Sequence, residues 1–172
     1  MLFRSTLFKK YKTAGDFTCA NPKTFEQEIR STGFYRAKAR NILAACKTIE
    51  KEFGGNLPRT MEDMLKLPGV ARKTANIVLG NAFGIVEGIA VDTHVRRVSQ
   101  RLGFSSYNDP VKIEQDLMEL FPKKDWSSLT YVLIDHGRAI CKAPVPRCEV
   151  CPVNRLCPTG IEKLGFRKNA SY

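Results

Sequence analysis

The sequence of 172 residues is 43% apolar and carries 28 Lys and Arg against 17 Asp and Glu, a formal net charge of +11. This length and apolar content support one sizeable core, or two small lobes that share segments. The basic excess favours a polyanionic partner, and the lack of an apolar run of transmembrane length argues against a membrane. Composition therefore indicates a globular protein that binds nucleic acid.

The N-terminal segment has an apolar stretch that is too short for a secretory signal and is interrupted by Arg4. We therefore expect a cytoplasmic protein, nucleoid-associated if the source is a prokaryote. The spacing of Phe3, Leu7 and Tyr11 predicts a helix that begins at Met1 without a capping residue. Such an abrupt start suggests that a further segment precedes Met1.

Apolar residues recur at spacings of three and four, and alternating patterns are scarce, so we predict an all-α fold. One helix is predicted from Tyr35 to Phe53, where glycines end it. The next helix begins at Thr60, with Asp63 placed as in a capping box, and stops at Leu67. A further helix then continues to about Ala82.

The second half of the chain continues the helical pattern. Asp92 lies where the N-cap of a helix is expected, and that helix ends at Gly103. Two more helices follow, and their predicted inward-facing residues are Ile113, Leu117, Leu120, Leu129, Val132, Leu133, His136 and Ile140. We interpret His136 as a core residue with a hydrogen-bond partner.

A tight turn between two predicted helices is a candidate phosphate-binding site. Pro68 and Gly69 permit the turn, and the next helix begins with free backbone N–H groups, which suit a phosphate. Backbone donors carry no base information, so such a site binds duplex DNA without regard to sequence. The same tripeptide also forms ordinary helix–helix turns. The candidate DNA-binding residues here are Leu67, Gly69, Val70, Ala71 and Arg72.

Four of the six cysteines have the spacing C-x6-C-x2-C-x5-C, which in a cytoplasmic protein indicates a metal site rather than disulfides. A compact loop of four thiolates favours a 4Fe-4S cluster over zinc. Either metal site would stabilise the loop by cross-linking its four cysteines. Lys142 and Arg147 lie within the first interval and are candidate phosphate contacts. We interpret Cys19 and Cys46 as structural. The predicted metal ligands are Cys141, Cys148, Cys151 and Cys157.

The segments LPGVARKTANIVL and IAVDTHVRR, followed by the four cysteines, resemble the endonuclease III branch of the helix-hairpin-helix, Gly/Pro loop, Asp superfamily of DNA glycosylases. The resemblance extends from about Leu7 to Cys157. It implies two packed helical lobes: a helical barrel at 1–108 with the hairpin and catalytic residues, and a lobe at 109–172 with the iron–sulfur cluster. The family has a second hairpin glycine at Ala71, a proline within 84–88 and two further N-terminal helices. The resemblance therefore implies an N-terminally truncated member.

The resemblance also implies a chemistry. Lys73 is the expected nucleophile, whose amine attacks the sugar C1′ to give a Schiff base that permits β-elimination. The helix N-terminus, Arg72 and desolvation by DNA each favour loss of the lysine proton. Asp92 is expected to stabilise positive charge on the sugar and to assist proton transfer from the amine. Phe34 falls where the family has an apolar wedge that fills the gap left by an extruded base.

The implied activity is base excision DNA repair by a bifunctional DNA N-glycosylase and AP lyase that removes oxidised or damaged pyrimidines. The expected partner is double-stranded DNA with a damaged base or an abasic site, bound by a monomer whose cofactor is a 4Fe-4S cluster. The residues alone also allow a phosphate-binding lysine at 73, a plain N-cap at 92 and a core aromatic at 34. A monofunctional mismatch glycosylase of the same fold, a non-catalytic DNA-binding fragment and a zinc-stapled helical protein stay open as alternatives.

Overall fold

The computed structural model describes the backbone of residues 2–166 and the side chains of residues 6–166. In this range the chain forms helices and loops without a strand, which confirms the predicted all-α class. None of the described helices is long and apolar enough to cross a membrane. The described α-helices are α1 (Leu2–Lys10), α2 (Ala14–Thr18), α3 (Pro22–Glu28), α4 (Tyr35–Phe53), α5 (Met61–Lys66), α6 (Arg72–Phe83), α7 (Thr93–Leu102), α8 (Pro110–Leu120), α9 (Trp126–Ala139) and α10 (Pro158–Leu164).

The chain divides into two compact units, Met1–Ala71 and Arg72–Tyr172, which we call the N-terminal and C-terminal units. The division falls directly before α6. The two lobes suggested by the sequence meet elsewhere, between residues 108 and 109, and that lobe boundary stays a prediction.

An aromatic cluster forms the core of the N-terminal unit. Tyr11 stacks on Phe17 with ring centroids 4.8 Å apart, and both rings meet the fully buried Phe25 edge-on. Ala39 and Leu43 add the buried face of α4 to this cluster. The core therefore joins the end of α1 to the next three helices.

The helix bounds of the N-terminal unit follow local capping signals. α4 has its predicted bounds, because Gly54 ends it in a left-handed conformation at φ +58°. Thr60 caps α5 by accepting the Asp63 N–H at 3.2 Å, so the Thr60 half of the predicted capping box is present. The helices α2 and α3 were not predicted, because five and seven residues are too few to show a periodic pattern. The predicted helix start at Met1 lies outside the described residues.

A buried apolar cluster joins α7, α8 and α9 in the C-terminal unit. Its members are Ile89, Val91, Val95, Val98, Ile113, Leu117, Leu133 and Cys141. Because Ile89 and Val91 precede α7, the core fixes the chain that leads into this helix. Two residues predicted to face inward do not: Leu120 is 57% exposed and Val132 is 61% exposed. Leu120 ends α8, and the buried face of α9 contains Thr130, Leu133 and Gly137, which leaves Val132 on its outer side.

Candidate active site and cysteine pocket

The turn that precedes α6 is closed by a hydrogen bond from the Val70 N–H to the Leu67 carbonyl oxygen, at 3.1 Å. Leu67 is buried, and Gly69 adopts φ +78°. A β-carbon at Gly69 would lie 2.8 Å from the Asn41 β-carbon on α4, so both the backbone and the close neighbour require glycine. Ala71 has a negative φ, and alanine is therefore accommodated where the family has its second glycine.

This turn presents a set of unpaired donors. The backbone N–H groups of Gly69, Ala71 and Arg72 have no acceptor among the described residues. They lie at the N-terminal end of α6, a helix of 12 residues, where the helix dipole carries its positive charge. Such an end suits an anion such as phosphate.

Lys73 and Asp92 both belong to the C-terminal unit. Lys73 is the second residue of α6 and is exposed, with no ion pair to a described residue. Asp92 caps α7 as predicted, because its Oδ1 accepts the N–H groups of His94 at 2.7 Å and Val95 at 2.8 Å. Its Oδ2 forms no hydrogen bond with a described residue. One carboxylate oxygen thus orients the side chain, and the other is available to a substrate.

Glu114 is a buried carboxylate on α8 that the sequence analysis missed. The Arg72 Nε and Nη2 atoms donate to its two oxygens at 2.8 and 3.1 Å, and these bonds raise the pKa of Arg72. The Glu114 carboxylate offsets the positive charge of Arg72, which was expected to favour loss of the Lys73 proton. It also forms hydrogen bonds with the guanidinium that was expected to bind DNA. Both roles of Arg72 stay predictions. The sequence contains one signal for the burial of Glu114: it lies three positions before Leu117, and this spacing places it on the same face of the helix as that buried residue.

Phe34 is 88% exposed and adopts a left-handed backbone conformation, φ 57°, immediately before α4. It is therefore not a core aromatic. For a residue with a side chain this conformation costs about 1–2 kcal/mol. An exposed aromatic in a strained turn is compatible with a wedge, a role that stays a prediction.

The four clustered cysteines line one pocket in the C-terminal unit, together with Arg101 and His136. The pocket has about 320 Å³ of empty space, part of it open to solvent. Lys142 and Arg147 in the same segment are exposed, as phosphate contacts must be. The lining cysteines are Cys141, Cys148, Cys151 and Cys157, and all four are free thiols.

Arg101 and His136 contact the segment Cys141–Cys157, which we call the cysteine loop. The Arg101 Nη1 atom lies 3.5 Å from the Cys141 Sγ and donates to the Lys142 carbonyl oxygen at 2.7 Å. The His136 Nε2 atom lies 3.8 Å from the Cys151 Sγ, and burial lowers the pKa of His136. His136 thus has a hydrogen-bond partner, as interpreted, but the partner is one of the clustered cysteines. Neither residue was assigned to this site from the sequence.

The chemistry of the pocket fits a 4Fe-4S cluster, because four thiols that form no disulfide line the same space. Burial raises the pKa of the Cys148 thiol, so a bound cation is needed to hold it as a thiolate. In the part of the chain that the structure describes, no three His, Cys, Asp or Glu side chains converge closely enough to hold a metal ion. The Cys157 thiol donates to the Arg101 carbonyl oxygen at 3.0 Å, and ligation would replace this hydrogen bond.

Three comparisons relate this geometry to known proteins. The family of HhH-GPD superfamily base excision DNA repair proteins matches residues 4–123. Endonuclease III of Synechocystis sp. is 50% identical over 153 residues, which cover 89% of this chain and 70% of the relative. A non-covalent endonuclease III–DNA complex superposes with a TM-score of 0.88 at 44% identity, covering 95% of this chain and 76% of the other. A trapped covalent endonuclease III–DNA intermediate gives the same TM-score and identity over 94% and 76% of the two chains.

Proposed function

Because this chain belongs to the HhH-GPD superfamily, and within it to the endonuclease III family, we propose that Lys73 and Asp92 are its catalytic residues. The protein is a base excision repair enzyme, a DNA glycosylase and AP lyase. One arrangement supports the residue assignment: an exposed lysine at the start of α6 and a helix-capping aspartate with a free carboxylate oxygen, both in the C-terminal unit.

DNA binding begins with the phosphate backbone. The free N–H groups at Gly69, Ala71 and Arg72 and the positive end of α6 bind a phosphate, while Leu67 and Val70 hold the turn in shape. The net charge of +11 strengthens this binding at low salt and weakens it as salt rises. Lys142 and Arg147 add exposed cations from the cysteine loop. These contacts do not read bases, which suits an enzyme that must find damage in any sequence.

The damaged base must leave the duplex before its glycosidic bond can be reached. Extrusion leaves a gap in the base stack, and an inserted apolar side chain can fill it. Phe34 is the candidate, since its ring is 88% exposed and its backbone is fixed by the turn before α4.

Lys73 then attacks the sugar. Its neutral Nζ forms a bond to C1′ as the N-glycosidic bond breaks, and the base departs with the bonding electron pair and takes up a proton. Loss of the amine proton and opening of the sugar ring give an imine between Nζ and C1′. Removal of a C2′ proton then expels the 3′ phosphate and cuts the strand.

Asp92 acts on the charge that develops during these steps. Its Oδ1 is held by two backbone N–H groups, which leaves Oδ2 to face positive charge on the sugar. The same oxygen can accept the proton that the Lys73 amine loses. An anchored carboxylate does both without first reorganising.

The four cysteines of the pocket would hold a 4Fe-4S cluster, which cross-links the cysteine loop when bound. The proposed ligands are Cys141, Cys148, Cys151 and Cys157. The protein's own contribution is the pair of Arg101 hydrogen bonds to the Lys142 and Pro144 carbonyl oxygens, which orient the first turn of this loop.

We further propose that double-stranded DNA with an oxidised or damaged pyrimidine, or with an abasic site, is the substrate, bound by a monomer. We propose a cytoplasmic location, with association with the nucleoid if the source is a prokaryote.

Borohydride trapping on duplex DNA with an abasic site tests the assignment of Lys73. Borohydride reduces the imine to a stable covalent adduct, so wild-type protein should form an adduct that Lys73→Ala does not. Lys66→Ala is a matched control, because Lys66 is an exposed lysine on the helix that precedes α6 in the chain and pairs with Asp63. If Lys73→Ala is trapped as efficiently as the control, another amine is the nucleophile.

A monofunctional mismatch glycosylase is the second candidate function. Such an enzyme releases the base without cutting the strand and needs no amine nucleophile. The exposed Lys73 favours the lyase, and strand cleavage after base release distinguishes the two.

A further inference from the structure

A carboxylate buried in the C-terminal unit is not used by the mechanism described above. Glu114 lies in α8 between buried Ile113 and buried Leu117 at 4% exposure. A charge in such surroundings is strongly unfavourable unless it is paired and hydrogen-bonded. Its contacts therefore identify what the carboxylate holds in place.

Its side-chain hydrogen-bond partners among the described residues lie in the first two turns of α6. Arg72 donates two hydrogen bonds to the carboxylate, at 2.8 and 3.1 Å, and Asn76 donates a third at 2.8 Å. Arg72 and Asn76 flank Lys73 at its own end of the helix. The carboxylate thus fixes both the rotation of α6 and the position of its N-terminus.

The carboxylate also contacts the segment that leads to Asp92. Gly88 lies so close to the Glu114 Oε1 that a β-carbon at position 88 would overlap it. From Gly88 to Val91 every residue is buried, so core packing sets the position of this segment up to Asp92. One carboxylate is therefore in contact with the chain that carries each proposed catalytic residue.

We propose that Glu114 is the positioning residue of the lyase, which sets Lys73 in register with Asp92 by binding Arg72 and Asn76 and by packing against Gly88. The proposal rests on the assignment of Lys73 as nucleophile. In Glu114→Gln the new amide N–H group faces the Arg72 donors, so the two-bond contact is lost although the side chain keeps its size. Glu114 touches no substrate and acts only through its neighbours.

The test is the single-turnover rate of adduct trapping at saturating abasic DNA. Displacing a reacting group by roughly 1 Å can slow a reaction by about 100-fold, so we expect Glu114→Gln to be trapped about 10- to 100-fold more slowly than wild type. Its affinity for the same DNA should stay within about threefold, which corresponds to less than ~0.7 kcal/mol. Glu119→Gln, an exposed carboxylate on the same helix, is the matched control and should match wild type.

A double-mutant cycle separates positioning from general stability. If Glu114 acts through Arg72, Glu114→Gln should add little to the rate loss already caused by Arg72→Met. Additive losses would overturn the proposal. So would a Glu114→Gln protein that melts at lower temperature but is trapped at the wild-type rate, because that result describes a purely structural ion pair.

Gly88→Ala is the second variant, for use if Glu114→Gln does not fold. It keeps every charge, displaces the carboxylate and crowds the Asn76 amide, so it should slow trapping in the same way. A wild-type rate in folded Gly88→Ala would overturn the positioning role and leave the assignment of Lys73 intact. If wild-type protein forms no adduct, the proposed nucleophile and the positioning residue both fail.

Discussion

Replacing Gly69 by alanine should destabilise the N-terminal unit more than replacing Gly54. Both glycines are left-handed, with φ +78° and +58°, and an alanine in that region costs about 1–2 kcal/mol. Nothing lies within 4 Å of a β-carbon added at Gly54, so the conformational cost is the whole effect there. At Gly69 the β-carbon would lie 2.7–2.9 Å from three Asn41 side-chain atoms, and such overpacking adds about 1–3 kcal/mol. We expect losses of about 2–5 kcal/mol for Gly69→Ala and about 1–2 kcal/mol for Gly54→Ala.

Urea unfolding of the two alanine variants measures this difference in unfolding free energy. Adding Asn41→Ala removes two of the three colliding atoms and leaves the β-carbon at 2.8 Å, so the double variant should recover only part of the excess loss at Gly69. DNA affinity at fixed salt should fall for Gly69→Ala and stay unchanged for Gly54→Ala, because of the two only Gly69 shapes the turn that we propose binds phosphate. Equal losses of stability at the two glycines would refute the steric argument.

Two further predictions concern carboxylates. Asp92→Asn should unfold within about 0.5 kcal/mol of wild type, since asparagine is an equally good N-cap. Its turnover on damaged DNA should fall by roughly 100-fold or more, and unchanged turnover would remove Asp92 from the mechanism. Burial acts to raise the pKa of Glu28, but hydrogen bonds from Lys10 and Tyr11 outweigh it and leave the pKa lowered. A lowered carboxyl pKa contributes stability above the ordinary value of about 4.3, and this contribution disappears as the pH falls through the folded-state value. Wild type should therefore be more stable than Glu28→Gln at neutral pH and lose that advantage below about pH 4 in acid unfolding; a constant difference would exclude the ion pair as its source.

Local signals were sufficient to predict the elements that carry the site. α4 and α7 end at glycines that adopt left-handed conformations, and Asp92 caps α7, because these residues act through their own backbone and nearest amides. The hairpin turn was predicted on the same basis. Helix type and capping depend on short-range chemistry, which a sequence displays directly.

Contacts between distant residues could not be predicted in this way. Glu114 appears in the sequence as one of several carboxylates on an amphipathic helix, and its partner Arg72 lies 42 positions away. The hydrogen bonds of Arg101 to the cysteine loop span a similar separation. Leu120 was assigned to the core from its spacing alone, although it ends α8 and is exposed. These features depend on how helices pack, which periodicity does not specify.

The backbone at Phe34 restricts which residues can replace it. Its φ of 57° is strained for any side chain and most of all for branched ones, so valine and isoleucine are excluded there even though their volume could fill a gap between bases. Asparagine and glycine accept the conformation but lack the apolar bulk. With the proposed wedge role, a residue at this position has to meet two unrelated demands, and unbranched or aromatic apolar side chains meet both at the smallest cost. A saturation library at position 34, scored separately for folding and for activity, would show which residues the backbone tolerates and which of those also support activity.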